Sequence, residues 1–223
     1  MLLAEKYRPK TFEDFIGNER VIAQVKELIE DPSFDRGAFW IEGASGIGKT
    51  SLAYVIANHF KAEILDVNGR RCNADFVQGM EADLRPSPLF GAYKWKAIII
   101  NESHAMTRPA VQELLTVLEN LPPKCLVIFT TTEDIWKSPQ DEKATRSKKD
   151  GLFGEFTKPF VRRIFHYRLS NQGLVEAFAQ RAKTIAQAEG KDGLPIEAYV
   201  KAVKDSGNCL GEVLKQVQQG TIG

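Results

Sequence analysis

Cysteine is scarce in this sequence. Cys72, Cys125 and Cys209 are its three, they lie far apart, and no two stand at metal-ligand spacing. That argues against a zinc module or a disulfide framework, and the odd count suits a reducing compartment. Long apolar runs are also missing. The opening MLLAEKYRPK contains none, so it reads as neither a secretion signal nor a membrane span. A cytoplasmic protein is expected, in the host cytoplasm if the chain is viral. Nor is there an excess of charge: 30 Lys and Arg stand against 29 Asp and Glu, a net +1. Overall charge therefore names no partner, and a nucleic-acid surface would have to be a local basic patch. What remains is an ordinary globular composition, 43% hydrophobic over 223 residues, long enough for one domain or two small ones.

Strand-like and helix-like segments alternate along most of the chain. AFWIE, EILDV, WKAIII, CLVIFTT and RIFHYRL are short apolar runs that predict five strands. GNERVIAQVKELIEDPS carries Val21, Ile22, Val25, Leu28 and Ile29 at helical spacing, with Asn18 as cap. The run after Lys49 puts Leu52, Val55, Ile56 and Phe60 on one helix face. NADFVQGMEADL predicts a helix with Asn73 or Asp75 near its start, and RPAVQELLTVLENL one with Pro109 in its first turn. Such alternation predicts an α/β fold, a five-stranded parallel sheet covered by helices on both faces. From about residue 170 the strands stop and three helical runs follow. The expected division is a core over 1–169 and a small three-helix lid over 170–223. Between Glu133 and Pro159 runs a polar stretch too long for an ordinary connection.

The turn GASGIGKT, residues 43–50, lies between the first strand and a helix. It matches G-x-x-x-x-G-K-[ST] at Gly43, Gly48, Lys49 and Thr50. Glycines let the backbone bend and aim successive amides at one anion, and the following helix adds the positive end of its dipole. Gly43, Ala44, Ser45, Gly46, Ile47, Gly48, Lys49, Thr50 and Ser51 are thus the candidate phosphate cradle. Lys49 reaches the terminal phosphates, and the Thr50 hydroxyl is a ligand for Mg2+. A hydrolase also needs acidic groups on a second strand beside the γ-phosphate. IIINES ends such a strand. Glu102 is placed to activate a water, while Asn101 takes the place usually held by a metal-shell aspartate. An amide oxygen accepts a hydrogen bond but carries no charge, so weaker Mg2+ binding and slow hydrolysis are expected.

Several stretches together resemble the AAA+ clamp-loader ATPases of DNA replication: replication factor C small subunits, bacterial gamma/tau and the phage large subunit. EKYRPKTFEDFIGNERVIAQVKELI resembles the family's N-terminal signature. By that resemblance Tyr7, Arg8, Pro9, Ile16 and Gly17 contact or frame the adenine of ATP. NESHAMTRPAVQELLTVLENLPPKCLVIFTTTE is similar to the second acidic motif, its helix and the sensor-1 strand, which puts the sensor at Thr132 with Thr131 beside it. VNGRRCNADFVQG is similar to the corresponding phage segment. PFVRRIFHYRL falls where the family carries Ser-Arg-Cys, so Arg163 maps to the arginine that reaches a neighbouring subunit's ATP. The likeness covers about residues 4–219.

The resemblance implies ATP and Mg2+ as cofactors and ATPase activity coupled to opening a sliding clamp and loading it on primer-template DNA. It further implies assembly with other clamp-loader subunits or copies of itself, and contact with DNA through backbone phosphates. Arg70, Arg71 and Arg108 are candidates for that contact, with Arg146, Lys148 and Lys149 as a second patch. Two departures stand out. Leu210 occupies the usual sensor-2 arginine position in SGNCLGEVLKQ, and no collar domain precedes the end at Gly223. A fragment, or a different assembly, is therefore expected. Related branch-migration motors share part of the N-terminal signature, so another AAA+ DNA motor is one alternative. A nucleotide-binding structural subunit with little hydrolysis is the other. His104 and Trp136 read as structural.

Overall fold

The computed structural model describes residues 1–84, 94–132 and 157–222. Five strands form one parallel sheet: β1 (Gly37–Glu42), β2 (Glu63–Asn68), β3 (Lys96–Asn101), β4 (Cys125–Thr131) and β5 (Phe165–Arg168). Their spatial order is β2-β3-β4-β1-β5. The centre explains the apolar runs. Every residue of β1 and β4 is buried, and so are Ala97 to Ile100 of β3. Edge strands β2 and β5 keep much of their length exposed.

Period-two alternation assigns each central residue to a face. Phe39 and Ile41 of β1, Ala97 and Ile99 of β3, and Leu126 and Ile128 of β4 form one core layer. Helices α2 (Glu19–Ile29) and α3 (Lys49–His59) close it with Val25, Ile29, Leu52 and Ile56. Ala38, Trp40, Ile98, Ile100, Val127 and Phe129 point the other way. There α4 (Ala74–Leu84) and α5 (Arg108–Glu119) cover them, and Phe160 of α6 (Thr157–Val161) packs edge-on to Trp40 and Phe129. Each fully buried large side chain contributes about 1.5–3 kcal/mol. A helix layer on each face thus locks the strand register that lines up the site.

Local chemistry caps two of the helices, and at a third, α2, the expected cap is turned to another use. Asn73 accepts from the Phe76 amide at 2.9 Å and caps α4. Thr107 caps α5, with Pro109 in the first turn. Asn18 stands at the cap position of α2 but in the left-handed region, φ 57°, and its side chain does not cap. Instead its Nδ2 donates to the Ser170 carbonyl (3.1 Å) and its Oδ1 accepts from the Ser170 amide (2.8 Å). A long-range partner offering both a donor and an acceptor outcompetes the helix's own amides.

Helices α7 (Val175–Ala188), α8 (Ile196–Asp205) and α9 (Leu210–Gln219) build a separate core around Phe178, Tyr199, Val203 and Val213. Leu3 of α1 (Leu3–Lys6) is buried in that same core. Glu189 holds the segment there, accepting from Lys6 Nζ (2.6 Å) and the Tyr7 hydroxyl (2.7 Å). The opening turn of the chain thus packs with its closing helices. Of the polar stretch between Glu133 and Pro159, α6 begins at Thr157, while 133–156, with Trp136, Arg146, Lys148 and Lys149, lie outside the described residues.

Candidate nucleotide-binding site

The sheet's C-terminal edge carries the site, as open α/β sheets do. β1 ends at Glu42, buried at 2% exposure and gripped by β5: Arg168 Nε lies 2.5 Å from one carboxylate oxygen and His166 Nε2 3.0 Å from the other. The Gly43 amide then donates to Thr131 of β4 at 3.3 Å. The turn therefore leaves the sheet from a point fixed by both neighbouring strands. Gly43, Gly46 and Gly48 all have positive φ. At Gly46 space as well as φ decides the residue: a Cβ there would lie 1.9 Å from Cys209 Sγ, at the head of α9. Lid and turn touch directly.

Lys49 is 7% exposed and folds back, donating to the Ala44 carbonyl at 2.7 Å. Burial holds its pKa below the usual lysine value, and the nearby Glu102 carboxylate opposes that shift. An ammonium parked on a backbone oxygen in a dry turn is poised to exchange that partner for an anion. Thr50 Oγ1 donates to Asn101 Oδ1 at 2.8 Å. The β3–β4 register pairs Ile100 with Phe129, so Asn101 comes level with Thr130, whose hydroxyl donates to the same oxygen at 2.8 Å. On its other side the Asn101 amide donates to Asp66 Oδ1 at 2.7 Å.

Glu102 has φ 52°, a left-handed conformation rare outside glycine. His104 Nε2 lies 3.5 Å from its carboxylate, and His104 Nδ1 lies 3.2 Å from Thr131 Oγ1. His104 bridges the strand-end acid to β4, which its sequence position did not reveal. Thr132 sits just past β4 and is exposed, whereas Thr130 and Thr131 are the hydroxyls bound to this cluster.

A cavity of about 250 Å³ opens from the turn toward the lid. Tyr7, Arg8, Pro9 and Ile16 line one wall, residues 45–51 and Glu102 the floor, and Phe178, Arg181, Leu210 and Leu214 the lid side. Gly17 is not among the lining residues. It is buried, and its Cα faces Leu174, where a Cβ would come within 2.3 Å. Its role in the fold is close approach to the lid. Leu210 adds apolar surface to the cavity, while Arg181 of α7 brings a guanidinium there, 3.5 Å from the Tyr7 carbonyl.

Arg163 lies far from this edge, just before the N-terminal end of β5. Its guanidinium is bound within the chain, donating to the Pro159 carbonyl at 2.5 Å and to Glu119 at the end of α5. Arg70, Arg71 and Arg108 are exposed beside the C-terminal edge, following β2 and opening α5.

Residues 39–149 match the family described as "ATPase family associated with various cellular activities (AAA)". This chain carries an AAA-family ATPase domain. The AAA domain is similar to the replication factor C small subunit of Methanoculleus marisnigri, 27% identical over 133 residues, covering 56% of this chain and 40% of that protein. It is also similar to the DNA polymerase III subunit tau/gamma of Haemophilus influenzae, 27% identical over 164 residues, covering 62% of this chain and 23% of that one. The chain thus spans two fifths or less of these relatives' own length. In fold it resembles the Thermotoga maritima RuvB Holliday junction branch migration motor, with TM-score 0.70 and 18% identity over 95% of this chain and 64% of that one. No helix among the described residues is long and apolar enough to cross a membrane.

Proposed function

We propose that the chain is an ATP-binding and ATP-hydrolysing clamp-loader subunit, helping to open a sliding clamp and load it onto primer-template DNA. The observation that carries this reading is the cavity itself. A phosphate turn, an acid-bearing strand end and the Tyr7-Arg8-Pro9 segment share one enclosure between sheet and lid. The clamp and the DNA come from the sequence resemblance, which the replication factor C and DNA polymerase III relatives support.

ATP enters with its base between the Tyr7–Pro9 wall, Ile16 and the lid, and its phosphates on the amides of residues 45–51, since the Gly43 amide is already bound to Thr131. Lys49 leaves the Ala44 carbonyl for the terminal phosphates. Thr50 and Asn101 offer hard neutral oxygens, a donor set that fits Mg2+, which keeps waters and takes substrate phosphates as ligands. Bound there, the ion neutralises charge shared across the terminal phosphates. Glu102, held by His104, orients and deprotonates the attacking water, and Thr132, with Thr130 and Thr131 behind it, faces the γ-phosphate side. Arg163 acts on a neighbouring subunit's nucleotide, since its own site lies at the opposite edge of the sheet. It must first release Glu119. Primer-template DNA runs past Arg70, Arg71 and Arg108 through phosphate contacts.

Turnover is slow, because Asn101 is uncharged and Leu210 offers the phosphates nothing. The test is ATP hydrolysis alone, with primed DNA, and with primed DNA plus a sliding clamp of the same replication system. Stimulation by both together supports the reading. ATP-driven strand displacement without a clamp would instead favour a branch-migration motor. Nucleotide binding without turnover under any condition would favour a structural subunit.

A further inference from the structure

Asn101 sits between two kinds of neighbour. Its Oδ1 takes hydrogen bonds from Thr50 and Thr130, both 2.8 Å long. Its Nδ2 gives one to Asp66, 2.7 Å away on β2. Asp66 is fixed in turn: the Tyr54 hydroxyl of α3 donates to its other oxygen at 2.7 Å. The strands make this possible. β2 and β3 pair Asn68 with Asn101, so Asp66, two residues back, lies diagonally on the same face.

An amide can sit in either of two orientations that exchange its oxygen and nitrogen. An ionised carboxylate is acceptor-only. Facing Asp66 with its oxygen would place two acceptors in contact, so Asp66 selects the orientation that turns Oδ1 toward Thr50. A divalent cation beside Thr50 meets negative charge on the nucleotide's phosphates, but on the protein side neither a hydroxyl nor an amide carries any. Asp66 holds the carboxylate bonded directly to Asn101, while Glu102 is directed at His104.

We propose that Asp66 is a positioning residue for the metal–nucleotide site: Asn101 presents the oxygen and Asp66, one hydrogen bond behind it, supplies the charge. The pair performs as a carboxylate divided between two strands. This rests on reading the site as one for Mg2+ and ATP.

The experiment titrates Mg2+ into the full chain with a fluorescent, non-hydrolysable ATP analogue, alongside analogue binding in EDTA and melting temperatures. The variants are Asp66→Asn, Tyr54→Phe and the exchanged pair Asp66→Asn with Asn101→Asp. Because Asp66 is exposed and screened, Asp66→Asn raises the Mg2+ concentration for half-saturation by about tenfold, and not more. Affinity in EDTA stays within about twofold, since a neutral pair leaves the phosphate turn intact. The exchanged pair keeps the hydrogen bond with donor and acceptor reversed, and returns the Mg2+ requirement to the wild-type value or below. Tyr54→Phe lowers melting temperature without the Mg2+ effect.

An unchanged Mg2+ requirement in Asp66→Asn overturns the proposal, and so does an equal loss of affinity with and without Mg2+. If Asp66→Asn does not fold, the exchanged pair decides: a Mg2+ requirement still about tenfold above wild type overturns it. Failure of the wild-type chain to bind the analogue at all would instead remove the underlying nucleotide reading.

Discussion

Replacing Asn101 by aspartate sets a second carboxylate against Asp66, across the contact that now measures 2.7 Å. Two unit charges about 4 Å apart repel by ~4 kcal/mol at an effective dielectric near 20, and by ~1 kcal/mol in bulk water. Asp66 is exposed, so the lower figure governs. The lost charge-assisted hydrogen bond adds about 1.5 kcal/mol. A total near 2.5 kcal/mol lowers the melting temperature of a chain this long by about 5–10 °C. The relevant assay is thermal unfolding in EDTA, then with Mg2+ and a nucleotide analogue. A ligand at about a hundredfold above its Kd adds ~2.7 kcal/mol and so offsets the deficit. Lowering the pH also relieves it. The crowded pair binds a proton more tightly folded than unfolded, so stability is regained as pH falls and lost as it rises. Melting of Asn101→Asp together with wild type in EDTA would refute the argument, because the two side chains could not then be in contact.

Three other outcomes follow from the geometry. Burial pushes the Cys72 thiol up to about 11 and raises Cys125, while Cys209 is half-buried against Gly46. A maleimide at neutral pH therefore labels Cys209 alone, and bound nucleotide slows the labelling; mass spectrometry of the adduct with and without nucleotide checks this. Glu102→Gln retains nucleotide affinity and loses about 100-fold or more in hydrolysis rate, measured in single turnover; equal loss of binding would deny Glu102 its role. Hydrogen bonds from Lys6 and Tyr7 hold the Glu189 carboxyl below its usual range. Its contribution to stability is present above the unfolded carboxylate pKa and disappears as pH falls through the lowered folded one. Urea unfolding of Glu189→Ala and wild type should accordingly converge in acid and diverge toward neutrality.

The sheet was legible because its central strands are buried on both faces and read as unbroken apolar runs. The phosphate turn was legible because its chemistry is local: glycines, a lysine and a threonine within eight residues, ahead of a helix. The supporting shell was not. Asp66 stands in an edge strand with nothing around it to mark it, and only the β2–β3 register brings it to Asn101. Arg181 reads as an ordinary polar residue of an amphipathic helix until the fold sets it against the Tyr7 carbonyl. Glu42 looks like a polar strand end but is buried because Arg168 and His166 arrive from β5. Asn18 misled for the same reason, since its partner is 152 residues away. Local patterns record which residues can turn, cap or bury themselves; they do not record which distant strand will lie alongside.

The reciprocal bond between Asn18 and Ser170 has a mechanical consequence. Among the described residues the polypeptide passes between sheet and helical bundle twice, once on the way in and once on the way out, and this bond ties the two passages together at one pivot. A swing of the bundle away from the phosphates would turn about that pivot and carry the Tyr7 wall along with α7 to α9. Spin labels on α2 and α8 would register such a swing as a change in separation when nucleotide binds, and Asn18→Ala would broaden the distribution of distances.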